Sequence, residues 1–347
     1  MLRITGTEGK LSADSERILL AHGSGGKLSQ ELVNKIIVDI IGNPILARMD
    51  DSAVIDLPGK TAFTTDSYVV SPIFFPGGDI GRLAVCGTVN DLATAGATPV
   101  YLSLSFIIEE GLLISEFVQI LWSIKETSEE AGVLIVTGDT KVVNKNSADK
   151  LFINTSGLGK VPDGIDISGH NARIGDKIIL SGTIGDHGIA IMSKREGLQF
   201  ETSVISDCAP LNHLVAQILQ CSPNVHCLRD PTRGGLAATL SEIAQQSSVG
   251  IEIEEATIPV NRTVRGACEM LGLDPLCMAN EGKMVIVLAP EDASVVLDGM
   301  RMNCYGQKSA LIGEVVAGHP GRVVMKTNLG ASRFVDVPMG ELLPRIC

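Results

Sequence analysis

The sequence is poor in aromatic residues and in positive charge. Aromatic residues make up 3% of the 347 residues, and only one of them is Trp. Single-stranded nucleic acids are usually bound on aromatic stacking platforms, which this composition disfavours. The formal net charge is −12, the isoelectric point is near 5.0, and no basic stripe is present. We therefore expect no nucleic-acid partner.

The sequence also lacks membrane-spanning and export signals. Its apolar runs are interrupted by Gly, Asp or Ser before they reach the ~20 residues that cross a bilayer. The N-terminus lacks the basic, apolar and small-residue succession of a secretory signal peptide. The expected location is the cytoplasm, without a membrane partner.

The eight cysteines are scattered, and none forms a close C-x-x-C pair. This spacing argues against a disulfide framework and against a zinc ribbon. Cys221, His226 and Cys227 are near one another in sequence, but a fourth metal ligand is missing at a suitable spacing. Buried core thiols are the favoured interpretation, and a reducing compartment fits them.

Hydrophobic residues make up 45% of the chain and the mean hydropathy is +0.27, enough for large cores. A chain of this length normally divides into two domains. We predict an N-terminal lead-in at 1–44, a first domain at 45–160, a second α/β domain at 170–327 and a mobile tail at 328–347. The Gly-, Asp- and Pro-rich stretch Pro162–Arg173 marks the boundary.

Alternating strand and helix patterns predict an α/β (α+β) fold class. The predicted strands are Ile45–Arg48, Thr61–Thr65, Tyr101–Ile108, Val133–Val136, Leu151–Thr155, Asp176–Leu180, Ile251–Glu254, Met284–Leu288, Leu311–Val316 and Val323–Lys326. The predicted helices begin near Leu28 and span Asp79–Ala95, Ser115–Ala131, Asp186–Arg195, Leu211–Gln220 and Gly234–Gln246. Gly132 is the expected stop of the clearest amphipathic helix.

A Gly-rich loop precedes the first helical pattern. It reads His22, Gly23, Ser24, Gly25, Gly26 and Lys27. Backbone N–H groups at a helix start suit phosphate oxygens, although a flexible turn has the same composition. The spacing does not match a Walker A loop.

Several aspartates lie where a predicted strand or helix meets a loop. They are Asp50, Asp51, Asp66, Asp91, Asp139 and Asp230. Each one alone could be an ordinary turn or cap residue. If they converge, they would repel one another unless they share cations, which predicts Mg²⁺ bridging to phosphate oxygens.

The sequence ends on Pro344-Arg345-Ile346-Cys347, which places a thiol on its last residue. Arg345 would favour the thiolate, and a terminal carboxylate would oppose it. Chain ends also fray, so these four residues alone do not indicate a function.

The motifs together resemble the ATP-binding superfamily of aminoimidazole ribonucleotide synthetase and selenophosphate synthetase. They are His22–Gly26, Asp50–Ala53, Thr65–Ser67, Asn90–Ala93, Gly138–Lys141 and Asp230–Gly235. Within that superfamily, Asn280–Lys283 and the final tetrapeptide resemble the HypE family of hydrogenase maturation factors. The resemblance covers nearly the whole chain in order.

This resemblance implies two α/β domains and a homodimer whose N-terminal sheets form a shared barrel. It implies that a carbamoyltransferase, HypF, carbamoylates the last cysteine and that ATP drives dehydration of the S-carboxamide to a thiocyanate. The cyano group would then pass to iron held by a HypC–HypD complex, for a nickel–iron hydrogenase. The tail must therefore move outward and inward.

The resemblance also implies residue roles. Metal ligands would be Asp51, Asp66, Asp91 and Asp230. The nucleotide would contact His22, Gly23, Ser24, Gly25, Gly26, Asp66, Asn90, Asp91, Asp139 and Thr140. Cys347 would carry the carboxamide, with Lys141 and Glu281 beside it and Glu281 as the base. The alternative for Glu281 and Lys283 is a pair of surface charges beside a strand.

Two other functions are compatible with parts of the sequence. A small-molecule kinase or synthetase of the same superfamily would share the loops. Selenophosphate synthetase would want a reactive Cys near the Gly-rich loop, but the first cysteine is Cys86. A non-catalytic adaptor could dock through its C-terminus. Such an adaptor would either not hydrolyse ATP or hydrolyse it without needing Cys347.

Overall fold

The structure, a computed structural model, describes residues 16–50, 52–197, 204–337 and 346–347. Asp51, assigned above to the metal, lies outside the described residues. The N-terminal part contains α1 (Lys27–Leu32), α2 (Val38–Ile41), β1 (Thr61–Tyr68), β2 (Phe74–Phe75), β3 (Gly78–Asp79), α3 (Ile80–Thr94), β4 (Thr98–Glu109), α4 (Ile114–Ala131), β5 (Leu134–Val143) and β6 (Leu151–Lys160).

The first domain is a four-stranded sheet in the order β1-β6-β4-β5 with α3 and α4 against one face. Only the β4–β5 pair is parallel. Alternation along β4 buries Leu104, Phe106 and Ile108 under the helices, whereas Ile107 on the other face is 44% exposed. α4 ends at Gly132, which is left-handed (φ +71°) as the sequence predicted.

The second domain is built on a seven-stranded sheet. Its elements are β7 (Lys177–Leu180), α5 (Asp186–Glu196), α6 (Asn212–Cys221), β8 (Val225–Arg229), α7 (Gly235–Ser247), β9 (Gly250–Glu254), α8 (Arg262–Leu271), β10 (Val285–Leu288), α9 (Ala293–Arg301), β11 (Ala310–Val316), β12 (Val323–Lys326) and β13 (Ser332–Phe334). The strand order is β13-β12-β9-β11-β7-β10-β8. Ile178 packs with residues of α7, and Ile179 packs with residues of α6 on the other face. The mixed α/β, two-domain prediction is confirmed.

The strand predicted at Ile45–Arg48 is wrong. Leu46–Arg48 is a 3₁₀ turn, because Asn43 Oδ1 accepts hydrogen bonds from the N–H groups of Ile45 and Leu46. These local bonds replace the ladder bonds that a strand would need. The sheet also extends past the predicted boundary at 327, since β13 pairs with β12.

The alternative metal site at Cys221, His226 and Cys227 is not formed. Cys227 is fully buried in a core cluster, and His226 Nδ1 lies 2.8 Å from Asp176 Oδ2. Within the described ranges, no helix is long and apolar enough to cross a membrane.

Candidate active site

Three of the predicted aspartates lie close enough together, where the two domains meet, for their charges to interact. Asp66 lies on β1, Asp91 on α3 and Asp230 directly after β8. Asp91 Oδ2 accepts a 2.8 Å hydrogen bond from Thr64 Oγ1. Burial, with Asp230 and Asp66 nearby, raises the pKa of Asp91 to about 7. Burial and Asp66 likewise raise the pKa of Asp230 to about 6.

This cluster suits a cation whose remaining ligands are substrate phosphates and water molecules. A carboxylate whose charge raises the pKa of its neighbours is stabilised together with them when a cation lies between them. No group of three His, Cys, Asp or Glu side chains in the described part of the chain is placed as a ready metal site. Mg²⁺ usually takes one or two carboxylates together with substrate phosphates and waters, so a complete protein cage is not required.

Glu281 is buried beside these aspartates and is only 3% exposed, so the surface-charge alternative is wrong. Its backbone N–H donates to Asp207 Oδ1 at 3.1 Å. Its Oε1 has no hydrogen-bond partner among the described residues. Burial, followed by the charges of Cys208 and Asp230, raises the pKa of Glu281 well above its usual range. A buried carboxyl group with a free oxygen and a raised pKa suits proton transfer.

Neighbouring residues fix the Glu281 backbone. Gly282 leaves no room for a side chain, since a Cβ there would lie 1.8 Å from the carbonyl oxygen of Asp207. Lys283 Nζ lies 3.0 Å from Asp207 Oδ2, so this lysine is paired. Asn90 is 1% exposed and bonds only backbone groups: its Nδ2 donates to the carbonyls of Ala209 and Glu281, and its Oδ1 accepts from Leu211. Asn90 thus holds the backbone at Glu281, and its contact with the nucleotide stays a prediction.

The last residue of the sequence lies at this site. Ile346 is buried at 4% exposure, and Cys347 packs against the N-terminal core. The N–H of Val69 donates to the main-chain oxygen of Cys347 at 3.3 Å. Burial, with Glu281 next in importance, raises the pKa of Cys347 to about 12. The thiol is therefore neutral here, which suits an uncharged derivative of the cysteine better than a thiolate.

Among the described residues, the Arg233 cation acts on Cys347 and opposes this rise in pKa. Its side chain is exposed, three residues after Asp230 in the quoted motif. The motif Asp230–Gly235 was recognised in the sequence, but no role was predicted for Arg233. Its position in the motif beside Asp230 was the available signal.

The Gly-rich loop lines a second region, a cavity of about 320 Å³. Its polar wall includes the charged side chains of Arg48, Asp50, Asp139 and Lys141 together with Gly23, Gly25 and Thr140, and the rest is largely apolar. A Cβ on Gly23 would lie 2.5 Å from the backbone nitrogen of Val142, so a glycine is needed there. The mixed lining and a loop that opens α1 suit a nucleotide, as predicted.

His22 and Ser24 support this loop. His22 Nδ1 accepts from the N–H of Leu19 at 2.9 Å, and Ser24 Oγ donates to the carbonyl of Ala21 at 3.0 Å. Gly26 is the N-cap residue of α1 and carries no side-chain cap. His22 and Ser24 thus shape the loop from within.

Within one chain, the structure does not bring Lys141 to Cys347. Lys141 is paired in register with Ile107 on β4, on the sheet face that the helices leave uncovered. The two neighbours of Asp66 on β1 are exposed on the uncovered face. Asp66 therefore lies on the helix-covered face, close to Cys347. Asp139 and Lys141 thus belong to the cavity group, and Asp66 belongs to the cysteine group.

Comparisons with known proteins agree with this architecture. The family models for AIR synthase related proteins match residues 49–161 (N-terminal domain) and 173–326 (C-terminal domain). The carbamoyl dehydratase HypE of Bradyrhizobium diazoefficiens is 53% identical over 340 residues, covering 97% of this chain and 98% of the relative. This chain belongs to the HypE family.

Two solved HypE structures extend the comparison. A crystal structure of the hydrogenase maturation protein HypE in complex with ATP superposes with a TM-score of 0.92 at 48% identity, covering 95% of this chain and 99% of that one. A HypE–HypF complex matches with a TM-score of 0.79 at 48% identity, covering 88% and 99%. The family predicted from the motifs is confirmed.

Proposed function

We propose that this protein is an ATP-dependent carbamoyl dehydratase that acts on its own Cys347 in the cytoplasm. It converts an S-carboxamide on that cysteine to a thiocyanate, which supplies the cyanide ligand for the iron of a nickel–iron hydrogenase. The observation that carries the proposal is the position of Cys347, which is partly buried close to Glu281 and to Asp66, a member of the aspartate cluster. The shared name of the HypE relatives supports a dehydratase rather than a small-molecule synthetase.

The reaction proceeds in two steps. The carboxamide oxygen attacks the γ-phosphorus of ATP, the bond to the bridging oxygen breaks, ADP leaves, and the nitrogen gives up one proton. The C–O bond then breaks, phosphate leaves with that oxygen, and loss of the second nitrogen proton completes the C≡N bond. The first step turns a poor leaving group into phosphate.

Glu281 in its ionised form accepts the first nitrogen proton, and the departing phosphate takes the second. Its Oε1 is buried and has no partner among the described residues, so it is available to an N–H of the modified cysteine. Proton transfer to such a positioned carboxylate typically contributes about 10²–10⁴-fold to a rate. The neutral, buried environment of Cys347 also excludes water that would hydrolyse an activated carboxamide.

Asp66, Asp91 and Asp230 would hold Mg²⁺, with Asp51 as the further predicted ligand outside the described residues. When bound, the ion would neutralise charge on the nucleotide phosphates. Arg233, exposed near Cys347, is placed to add a second positive charge on the transferred phosphoryl group. The ATP complex of a HypE relative supports ATP as the nucleotide.

The protein works as a homodimer in this proposal. The uncovered face of the first sheet carries Phe63, 68% exposed, and Ile107 and Leu134, each 44% exposed. Apolar side chains on an open sheet face favour a second copy. Lys141 shares this uncovered face with Ile107, so the second copy would lie beside it.

Phe63→Glu is expected to convert the dimer to a monomer, because each protomer would have to bury a carboxylate in the apolar interface. Light scattering measures the change in mass, and dehydratase activity is expected to fall with it. Val295→Glu is the matched control, since Val295 is 51% exposed on α9 of the other domain. A Phe63→Glu protein that stays dimeric and active would contradict the proposed interface.

The tail serves two partners in this proposal. The carbamoyltransferase HypF modifies Cys347 while it is exposed, and a HypC–HypD iron complex receives the cyano group from the same exposed position. The high pKa of Cys347 in the buried position supports this separation, since a neutral thiol is a poor nucleophile there. The HypE–HypF complex of a relative supports the first partner.

Release of phosphate from ATP tests this function. The carbamoylated wild type is expected to release one equivalent of phosphate per chain in a single turnover, and Cys347→Ala is expected to release none above background. The alanine variant keeps the ATP cavity, so nucleotide binding serves as its control. Equal phosphate release by both proteins would favour a small-molecule synthetase or an adaptor with incidental hydrolysis.

A further inference from the structure

A fully buried histidine contacts the tail directly and has no role in the chemistry above. His187 lies in the first turn of α5 and is 0% exposed. Its Nε2 lies 2.8 Å from the carbonyl oxygen of Ile346, and its Nδ1 lies 2.8 Å from Ser206 Oγ. The edge contact with Phe75, at 5.5 Å between ring centroids, fixes the ring plane.

The neighbouring hydrogen bonds determine which nitrogen carries the proton. Ser206 Oγ accepts from the backbone N–H of Cys208 at 3.1 Å, which leaves its hydroxyl hydrogen free to donate to His187 Nδ1. Nε2 must then carry the ring proton and donate it to Ile346. The opposite tautomer would set two acceptors against each other.

The imidazole is also neutral in this position. Burial lowers the pKa of His187 below its usual range, and the charge of Asp207 opposes this only in part. A neutral ring with a fixed tautomer presents one donor in one direction, which makes it suited to hold a carbonyl group rather than to transfer a proton.

We propose that His187 is a positioning residue that latches the inward tail through the Ile346 carbonyl. The hydrogen bond to Ile346 does not depend on the proposed function. Its consequence does rest on that function, because the bond would hold the modified Cys347 against Glu281. The second anchor is the Val69 N–H on the main-chain oxygen of Cys347. Two hydrogen bonds on successive residues fix the direction of the Cys347 side chain, and each can be released when the tail moves outward.

A matched pair of amide variants tests the latch. In His187→Gln the amide nitrogen reaches the position of Nε2, so a donor to Ile346 is retained. In His187→Asn the amide reaches only the position of Nδ1, so it can pair with Ser206 but leaves Ile346 unpaired. Both residues are polar and uncharged, and thermal unfolding checks that both variants are folded.

The first readout is the rate of Cys347 alkylation by iodoacetamide, quantified on the C-terminal peptide released after Glu341. It needs neither ATP nor any partner protein. Loss of one hydrogen bond is expected to raise the labelling rate of His187→Asn by about two- to tenfold, with His187→Gln close to the wild type. Equal labelling of His187→Asn and the wild type, or labelling of His187→Gln as fast as His187→Asn, would overturn the latch.

The second readout is dehydration of the carbamoylated protein. In His187→Asn the kcat is expected to fall by about two- to tenfold, whereas the KM for ATP and the rate of carbamoylation are unchanged. A purely structural role for His187 would not separate these quantities. If the labelling rates change but the wild type forms no thiocyanate, the latch stands and the proposed function fails.

Discussion

Glu281→Gln is expected to slow thiocyanate formation by about 10²–10⁴-fold, since it removes the base and leaves the shape of the site intact. Gln keeps the backbone contact to Asp207 and fills the same buried space. Because the buried position raises the pKa of the carboxyl group, the neutral amide is also compatible with the fold. Single-turnover conversion of the carbamoylated protein with saturating Mg²⁺–ATP measures the effect.

The control for this variant is Glu254→Gln, which changes an exposed carboxylate at the end of β9. It is expected to react at the wild-type rate. Carbamoylation of Glu281→Gln by the carbamoyltransferase is expected to be normal, since it takes place with the tail outside. A Glu281→Gln protein that forms thiocyanate within about threefold of the wild type would remove Glu281 from the mechanism.

Asp91→Asn is expected to act in opposite directions on stability and on ligand binding. Without ligand, the variant should unfold at a higher temperature than the wild type at pH 8, by at least about 2 °C. With Mg²⁺–ATP, it should lose most of the stabilisation that the ligand gives the wild type, with metal affinity weaker by roughly 10–100-fold. Thermal unfolding with and without Mg²⁺–ATP measures both effects.

The sign follows from the pKa of Asp91, which the fold raises from 3.8 to about 7. A carboxyl group with a raised pKa binds its proton more tightly in the folded state, so its contribution to stability falls as the pH rises from about 4 to about 7. Asn carries no such penalty and can still accept the hydrogen bond from Thr64. The stability gain should therefore shrink as the pH is lowered from 8 toward 4.

The exposed Asp163→Asn is the control and should change neither quantity. A destabilised Asp91→Asn at pH 8, or one that binds Mg²⁺–ATP as tightly as the wild type, would contradict the cation site. The first result would mean that the carboxylates do not repel one another, and the second that Asp91 is not a ligand.

Strongly periodic segments of the fold were predictable from the sequence. The amphipathic pattern at Ser115–Ala131 and the glycine after it predicted α4, which spans Ile114–Ala131. The alternation at Tyr101–Ile108 predicted β4. Both signals are local, because one face of each element is buried along its whole length.

Other elements depend on contacts that the local pattern does not contain. β8, Val225–Arg229, was missed because its strand character comes from pairing with β10. α8 and α9 were also missed, since each buries only a narrow stripe of two or three side chains. Ile45–Arg48 has the apolar composition of a strand, but the Asn43 side chain closes a turn instead.

Some features of the candidate site were likewise predictable from the sequence, and others were not. The motifs predicted that Asp66, Asp91 and Asp230 would converge, and the structure brings these three together. The hydrogen bonds of Asn90 could not be predicted from its motif, because its partners Ala209 and Glu281 are 119 and 191 residues away in the sequence. His187 gave no sequence signal either, since its contact with Ile346 spans 159 residues.

The most direct test of the account is the intact mass of the protein after incubation with the carbamoyltransferase, carbamoyl phosphate and ATP. The wild type is expected to gain one carbamoyl group and then to lose one water, the second change only with hydrolysable ATP and neither change in Cys347→Ala. Absence of any adduct that depends on Cys347, with ATP turnover intact, would contradict the account and favour a small-molecule synthetase of the same fold.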